Sequence, residues 1–146
     1  MNGNIQQKAL GDTNGAKAEL IYYEKDTWLG SLKSLEKRND QKKIDVEIIT
    51  LDHFCHTHQI FPDIIKIDTE GFEFEVLKGG FNVLKEKRPL IIFESNSEAQ
   101  RDLIFDFFTE LDYSLKPVSA SSLNNLIKYK KSEFILSRET NFLGHP

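Results

Sequence analysis

The chain has 146 residues, of which 39% are hydrophobic and 29% charged, the size and make-up of one domain with a real core. A net charge of -4 and a pI near 5.6 leave no electrostatic footprint for nucleic acid, and no apolar run approaches the length that crosses a bilayer, so both partners are excluded as first expectations. The opening MNGNIQQKALGD has neither a basic nor an apolar leader region, and Cys55 stands alone, which leads us to expect a reducing, cytoplasmic setting.

Residues 4–23 read as a hairpin, with strands at 5–10 and 18–23 around the turn GDTNG. The following KDTWLGSLKSLEKRNDQKKI is polar and mixed in charge, as expected of a mobile surface segment that can serve as a lid and ends in a charged turn. Alternation then predicts a strand over 46–51, with Asp52 capping a short helix towards His58. Residues 63–68 predict a strand and 70–78 a helix with Phe74 and Leu77 on one face; Gly79 and Gly80 break it, helix resumes over 81–87, and LIIFE after Pro89 is a second apolar strand. This is a βαβ unit. Ser97 with Gln100 reads as a capping box, opening a helix whose Leu103, Ile104, Phe107, Phe108 and Leu111 share a stripe. The tail offers strands at 113–118 and 133–138, separated by SSLNN and a basic KYKK turn and expected to pair antiparallel. The whole predicts a single α/β domain over 1–146, its sheet mostly parallel, with helices on the faces.

In such sheets the ligand crevice lies beyond the carboxyl ends of the strands. Asp68 and Glu70 follow one predicted strand, and Glu94 and Asn96 end the next, so two neighbouring strands carry polar groups to one rim. Lys66 and Asp68 are two apart and project from the same side, opposite Ile65 and Ile67. An ion pair between them, with Glu70 capping the next helix, accounts for three of these groups structurally. Glu94 and Asn96 at the same level favour a site.

DIIKIDTEGFEFEVLKGG followed by RPLIIFES resembles the signature of the FkbM-type family of S-adenosylmethionine-dependent methyltransferases, (I/L)K-I-D-(V/T)-E-G-x-E-x-x-V-L-K-G with an apolar strand ending in Glu. TLDHFC, NFLGHP and ALGDTNG with the later GSL are similar to flanking segments of that family, so the likeness runs from about residue 4 to 146. The resemblance implies a Rossmann-like class I methyltransferase sheet, S-adenosylmethionine as donor, and a hydroxyl of a sugar or other small metabolite as acceptor. It makes Asp68 and Glu70 the candidate catalytic carboxylates, with Lys66 beside them, and lets Glu94 and Asn96 orient the acceptor. Asp68, Glu94 and Asn96 offer an alternative role as oxygen ligands of a divalent cation, by analogy of position. Trp28 with Leu29 can close over the acceptor or simply pack on the sheet.

One departure is equally informative. The family fold begins with a strand ending in D-x-G-x-x-x-G and a second strand ending in an acid, and neither is in these 146 residues. GDTNG reads as a hairpin turn, and Asp12 is either a turn-forming aspartate or a contact to the adenine edge. The expectation is an N-terminally truncated chain that lacks the first two strands. The strand at 63–68 then has a free apolar edge, open to pairing with another chain.

Weaker signals have plainer readings. HFCHTH invites zinc through His53, His56, His58 and Cys55, but solvated surface histidines are the simpler expectation, and His145 is isolated. Lys128, Lys130 and Lys131 form a solvated turn or a contact for an acidic acceptor. Besides O-methylation, the sequence leaves open an inactive remnant completed by a partner chain, and a metal-dependent phosphodiester hydrolase built on Asp68, Glu70 and Glu94.

Overall fold

The computed structural model describes residues 5–25, 30–32, 37–118 and 128–146. In chain order these form β1 (Ala9–Leu10), β2 (Ala16–Tyr23), β3 (Gly30–Ser31), β4 (Gln41–Ile49), α1 (Leu51–His58), β5 (Ile64–Ile67), α2 (Glu73–Gly79) and α3 (Phe81–Lys87). There follow β6 (Leu90–Glu94), α4 (Glu98–Glu110), β7 (Ser114–Pro117), α5 (Lys131–Ile135) and β8 (Asn141–His145). The strands make two four-stranded sheets, ordered β1-β4-β2-β3 and β5-β6-β8-β7. The α/β class holds, but the expected mostly parallel sheet does not. Only β1 with β4 and β5 with β6 run parallel among the described strands; the other pairings are antiparallel. A parallel neighbour needs a crossover. Here the chain instead returns beside itself, placing Gln41 opposite Tyr23.

The expected hairpin is also replaced. Ala9 of β1 and Ala16 of β2 both pair with Ile48, so β4 lies between the two strands that were to pair with each other. Strand β4 starts at Gln41, well before 46; its first residues are mostly polar and exposed, so alternation is hard to read there. Residues 41–44 therefore belong to a strand, not to the predicted surface segment.

The second sheet carries the main core. The rings of Phe93, Phe108, Phe134 and Phe142 are fully buried, with Phe134 edge-on to Phe142 at 4.7 Å between centroids. Phe134 belongs to α5, so the strand expected at 133–138 is a short helix, and the antiparallel partner of β7 is β8. Glu133 accepts from the Lys130 backbone N–H at 2.8 Å, a local cap that favours the helix. Helix α4 buries Ile104, Phe107, Phe108 and Leu111 as its stripe predicts, whereas Leu103 faces out at 48% exposure. Ser97 Oγ accepts from the Gln100 N–H, but the Gln100 side chain does not close the box; it donates to the Gly71 carbonyl at 2.6 Å.

Helix ends elsewhere correct two further expectations. Thr50, not Asp52, caps α1, accepting from the His53 N–H at 3.1 Å. Asp52 caps α3 across space, accepting from the backbone of Asn82 at 3.1 Å and Val83 at 2.8 Å. Gly80 separates α2 from α3, and Gly79 meets the first sheet: a Cβ there would lie 1.9 Å from the Gly11 carbonyl oxygen. Gly79→Ala is therefore expected to destabilise the chain by about 1–3 kcal/mol, read as a lower urea midpoint. No helix among the described residues is long and apolar enough to cross a membrane.

Candidate functional site

Strand β5 buries Ile65 and Ile67 and turns Lys66 outwards with the following Asp68, as the two-residue period requires. Lys66 Nζ donates to Asp68 Oδ2, and both side chains stay about half exposed, at 50% and 46%. They line a cleft of about 350 Å³ between the two sheets, together with Leu10, Leu20, Val46 and Val76.

Beyond Asp68 the chain turns sharply. Glu70 and Gly71 both have positive φ, 50° and 98°, a conformation glycine tolerates and glutamate does not favour. Glu70 does not cap α2. The N-cap of α2, Phe72, makes no side-chain capping hydrogen bond; Glu73, 2% exposed, instead binds the turn before it, its Oε1 accepting from the N–H of Thr69 at 3.1 Å, the hydroxyl of Thr69 at 3.0 Å and the N–H of Gly71 at 3.0 Å. Ser31 Oγ donates to the Glu70 carbonyl at 3.0 Å.

The turn presents Glu70 to a pocket of about 220 Å³ shared with Glu73, Glu94, Asn96, Ser97 and Gln100. Asn96 Nδ2 donates to Glu94 Oε1 at 3.1 Å. Glu70, Glu94 and Asn96 are thus brought together at the carboxyl ends of β5 and β6, which pair in parallel. Burial, then the negative charges of Glu94, Asp68 and Glu73, push the Glu70 carboxyl above its ordinary range. Such a group is a stronger base than a free glutamate. Asp68 contributes charge to this pocket but lines the neighbouring cleft.

The other candidates lie elsewhere. Asp12 accepts from Lys78 Nζ at 2.7 Å, at the far end of α2 from the pocket. Trp28 lies outside the described residues. His53, His56 and His58 are exposed, and no three His, Cys, Asp or Glu among the described residues are arranged to hold a metal. Cys55 is buried, and burial followed by the charge of Asp52 raises its thiol, which makes it a poor nucleophile. Lys131 bridges Asp106 at 2.7 Å and Asp102 at 3.0 Å.

Sequence reasoning gave Gln100 only a capping role and passed over Ser31, although the hydrogen bonds of both reach the turn from distant elements; it also passed over Arg101, which holds the Ser95 carbonyl beside the pocket. Glu73 sat in view inside the motif; its spacing after T-E-G was the available signal.

The parallel β5–β6 pair with carboxylates at its carboxyl rim defines an α/β domain of the kind that binds ligands at strand ends. A family model described as Methyltransferase FkbM domain matches residues 2–115, and the chain belongs to that methyltransferase family. No curated protein and no solved structure matches it.

Proposed function

We propose that this chain forms the acceptor side of an S-adenosylmethionine-dependent O-methyltransferase acting on a hydroxyl of a sugar or other small metabolite, in the cytoplasm. The observation that carries this reading is the convergence of Glu70, Glu94 and Asn96 in one pocket at the ends of adjacent parallel strands. Asn96 and Glu94 would hold the acceptor hydroxyl by hydrogen bonds, and Glu70 would take its proton as the oxygen becomes a nucleophile. Fixing the oxygen in line with the methyl group supplies much of the acceleration. When bound, S-adenosylmethionine supplies that electrophilic methyl. The described residues do not complete a pocket for it: Asp12 is engaged by Lys78, and the sequence contains no D-x-G-x-x-x-G loop.

A second observation concerns completion of the site. Among the described residues, strands β1 and β5 are each paired on one side, and their outer edges line the same 350 Å³ cleft. Strands from another polypeptide segment would satisfy both edges and bring the donor loop beside Asp68.

Isothermal titration of the 146-residue chain with S-adenosylmethionine, run beside size-exclusion chromatography, tests the division of labour. The expected result is no micromolar donor binding by the chain alone. Tight binding would show that the donor pocket is already complete. Labelled methyl transfer to hydroxylated acceptors is expected once the cleft is filled. Hydrolysis of a phosphodiester that needs magnesium but no methyl donor would instead favour a hydrolase.

A further inference from the structure

The turn that carries Glu70 is held from three directions. Glu73 Oε1 gathers the N–H groups of Thr69 and Gly71, the residues on either side of Glu70, and the Thr69 hydroxyl. Two N–H groups two residues apart converge on one oxygen when the chain between them passes through the left-handed region, forming a small concave nest for an anion. In this chain the nest is filled by the protein's own buried carboxylate. The carbonyls of the same two left-handed residues are held as well, that of Glu70 by Ser31 from β3 and that of Gly71 by Gln100 from α4.

We propose that Glu73 is a positioning residue: by filling the nest around Glu70 it imposes the left-handed turn that aims the Glu70 carboxyl at Glu94 and Asn96. Ser31 and Gln100 lock the turn from outside. This rests on the reading of Glu70 as the proton acceptor. The groups facing Glu70 are Asp68 from the end of β5, Glu73 from α2 and Glu94 from the end of β6, with the neutral Asn96 and Gln100 completing the pocket. Glu73 therefore has two separable effects, an oxygen that fixes the backbone and a negative charge beside Glu70.

Glu73→Gln keeps an acceptor oxygen and removes the charge, whereas Glu73→Ala removes both. Amide exchange of Thr69 and Gly71 and the carboxyl titration of Glu70, followed by NMR in the full chain, separate the two effects. In Glu73→Ala the two amides are expected to lose about tenfold or more of their protection, and in Glu73→Gln to keep most of it. In both variants the Glu70 midpoint is expected to fall, because a like charge has gone. Wild-type protection in Glu73→Ala, or an unmoved Glu70 midpoint in a folded Glu73→Gln, would overturn the proposal. Should the alanine variant not fold, Glu73→Asp decides the positioning: its shorter side chain withdraws the oxygen and keeps the charge, so the two amides should lose protection, and wild-type protection would overturn the proposal. None of these readouts requires methyl transfer. Full activity in a Glu70→Gln enzyme would remove the proton-acceptor reading and leave the turn measurements standing.

Discussion

Replacing Arg101 with methionine is expected to cost about 3–5 kcal/mol, a large share of the roughly 5–15 kcal/mol that holds a domain together. Arg101 is 4% exposed, and among the described residues its guanidinium donates to backbone carbonyls alone: Ser95 at 2.6 and 3.1 Å, Ser137 and Glu139 at 2.7 Å, Ile135 at 3.2 Å and Phe134 at 3.4 Å. It also sits 4.9 Å from the centre of the Phe142 ring. Burial pulls its pKa down, with Glu98 and Tyr129 acting in the opposite sense, and guanidinium remains charged in proteins. Methionine fills much of the volume but leaves those carbonyls without their donor. Lysine keeps the charge and loses the planar fork, so it should fall between the two. The measurement is a urea titration, in which the midpoint drops while the slope is retained. A methionine variant within 1 kcal/mol of wild type, an allowance set by the usual net worth of one hydrogen bond at about 1 kcal/mol, would refute this account. Because Ser95 lies between Glu94 and Asn96, the damage should extend to the pocket.

Glu70→Gln is expected to lower methyl transfer by about 100- to 10,000-fold, the usual contribution of a well-placed proton acceptor. The same change should stabilise the fold at neutral pH. The Glu70 carboxyl is raised above its ordinary value of 4.5, so the folded chain holds that proton more tightly than the unfolded chain. The stability this group contributes is full below 4.5 and is lost as pH rises from there through the folded value. Glutamine carries no charge and escapes that loss. Urea midpoints of the two proteins should therefore converge in acid and separate towards neutrality, with the variant higher. Stability lost for activity in this way is common at functional sites. A variant that is both active and no more stable at neutral pH would remove Glu70 from the role proposed for it.

Much of the site could be read from the sequence because its information is local. The run from Asp63 to Gly80 shows the strand, the helix and its break, although residues 70–72, expected in the helix, form a turn before it that is left-handed at Glu70 and Gly71; the Lys66–Asp68 pair follows from their sharing one side of a strand. The same holds for α4, where a thirteen-residue helix leaves a stripe long enough to recognise. What failed was long-range. Residue preference shows that 18–23 is a strand but not that its neighbour is β4 instead of β1, since pairing choice depends on which edges meet after collapse. Five residues of α5 are too few to show a helical period, and Phe134 looks the same in either state. Asp52 read as a cap for its own helix because sequence offers only the nearest one, yet its carboxylate serves α3, thirty residues away. Glu73 was in view within the motif, but its role was not, for a related reason. A buried carboxylate that collects N–H groups looks, in one dimension, like any acid in a first helical turn.

Helix α2 is fastened at both ends, by Gly79 against Gly11 and Lys78 to Asp12 on the side of the first sheet, and by Glu73 to the turn below the pocket. Seven residues of helix span about 10 Å and bend little over that distance. It therefore acts as a short lever whose outer arm rests on the first sheet and whose inner arm, through Glu73, holds the turn that carries Glu70. Val76 of the same helix lines the gap between the sheets, so a body wedged there would press on the lever, and its load would reach the turn of Glu70.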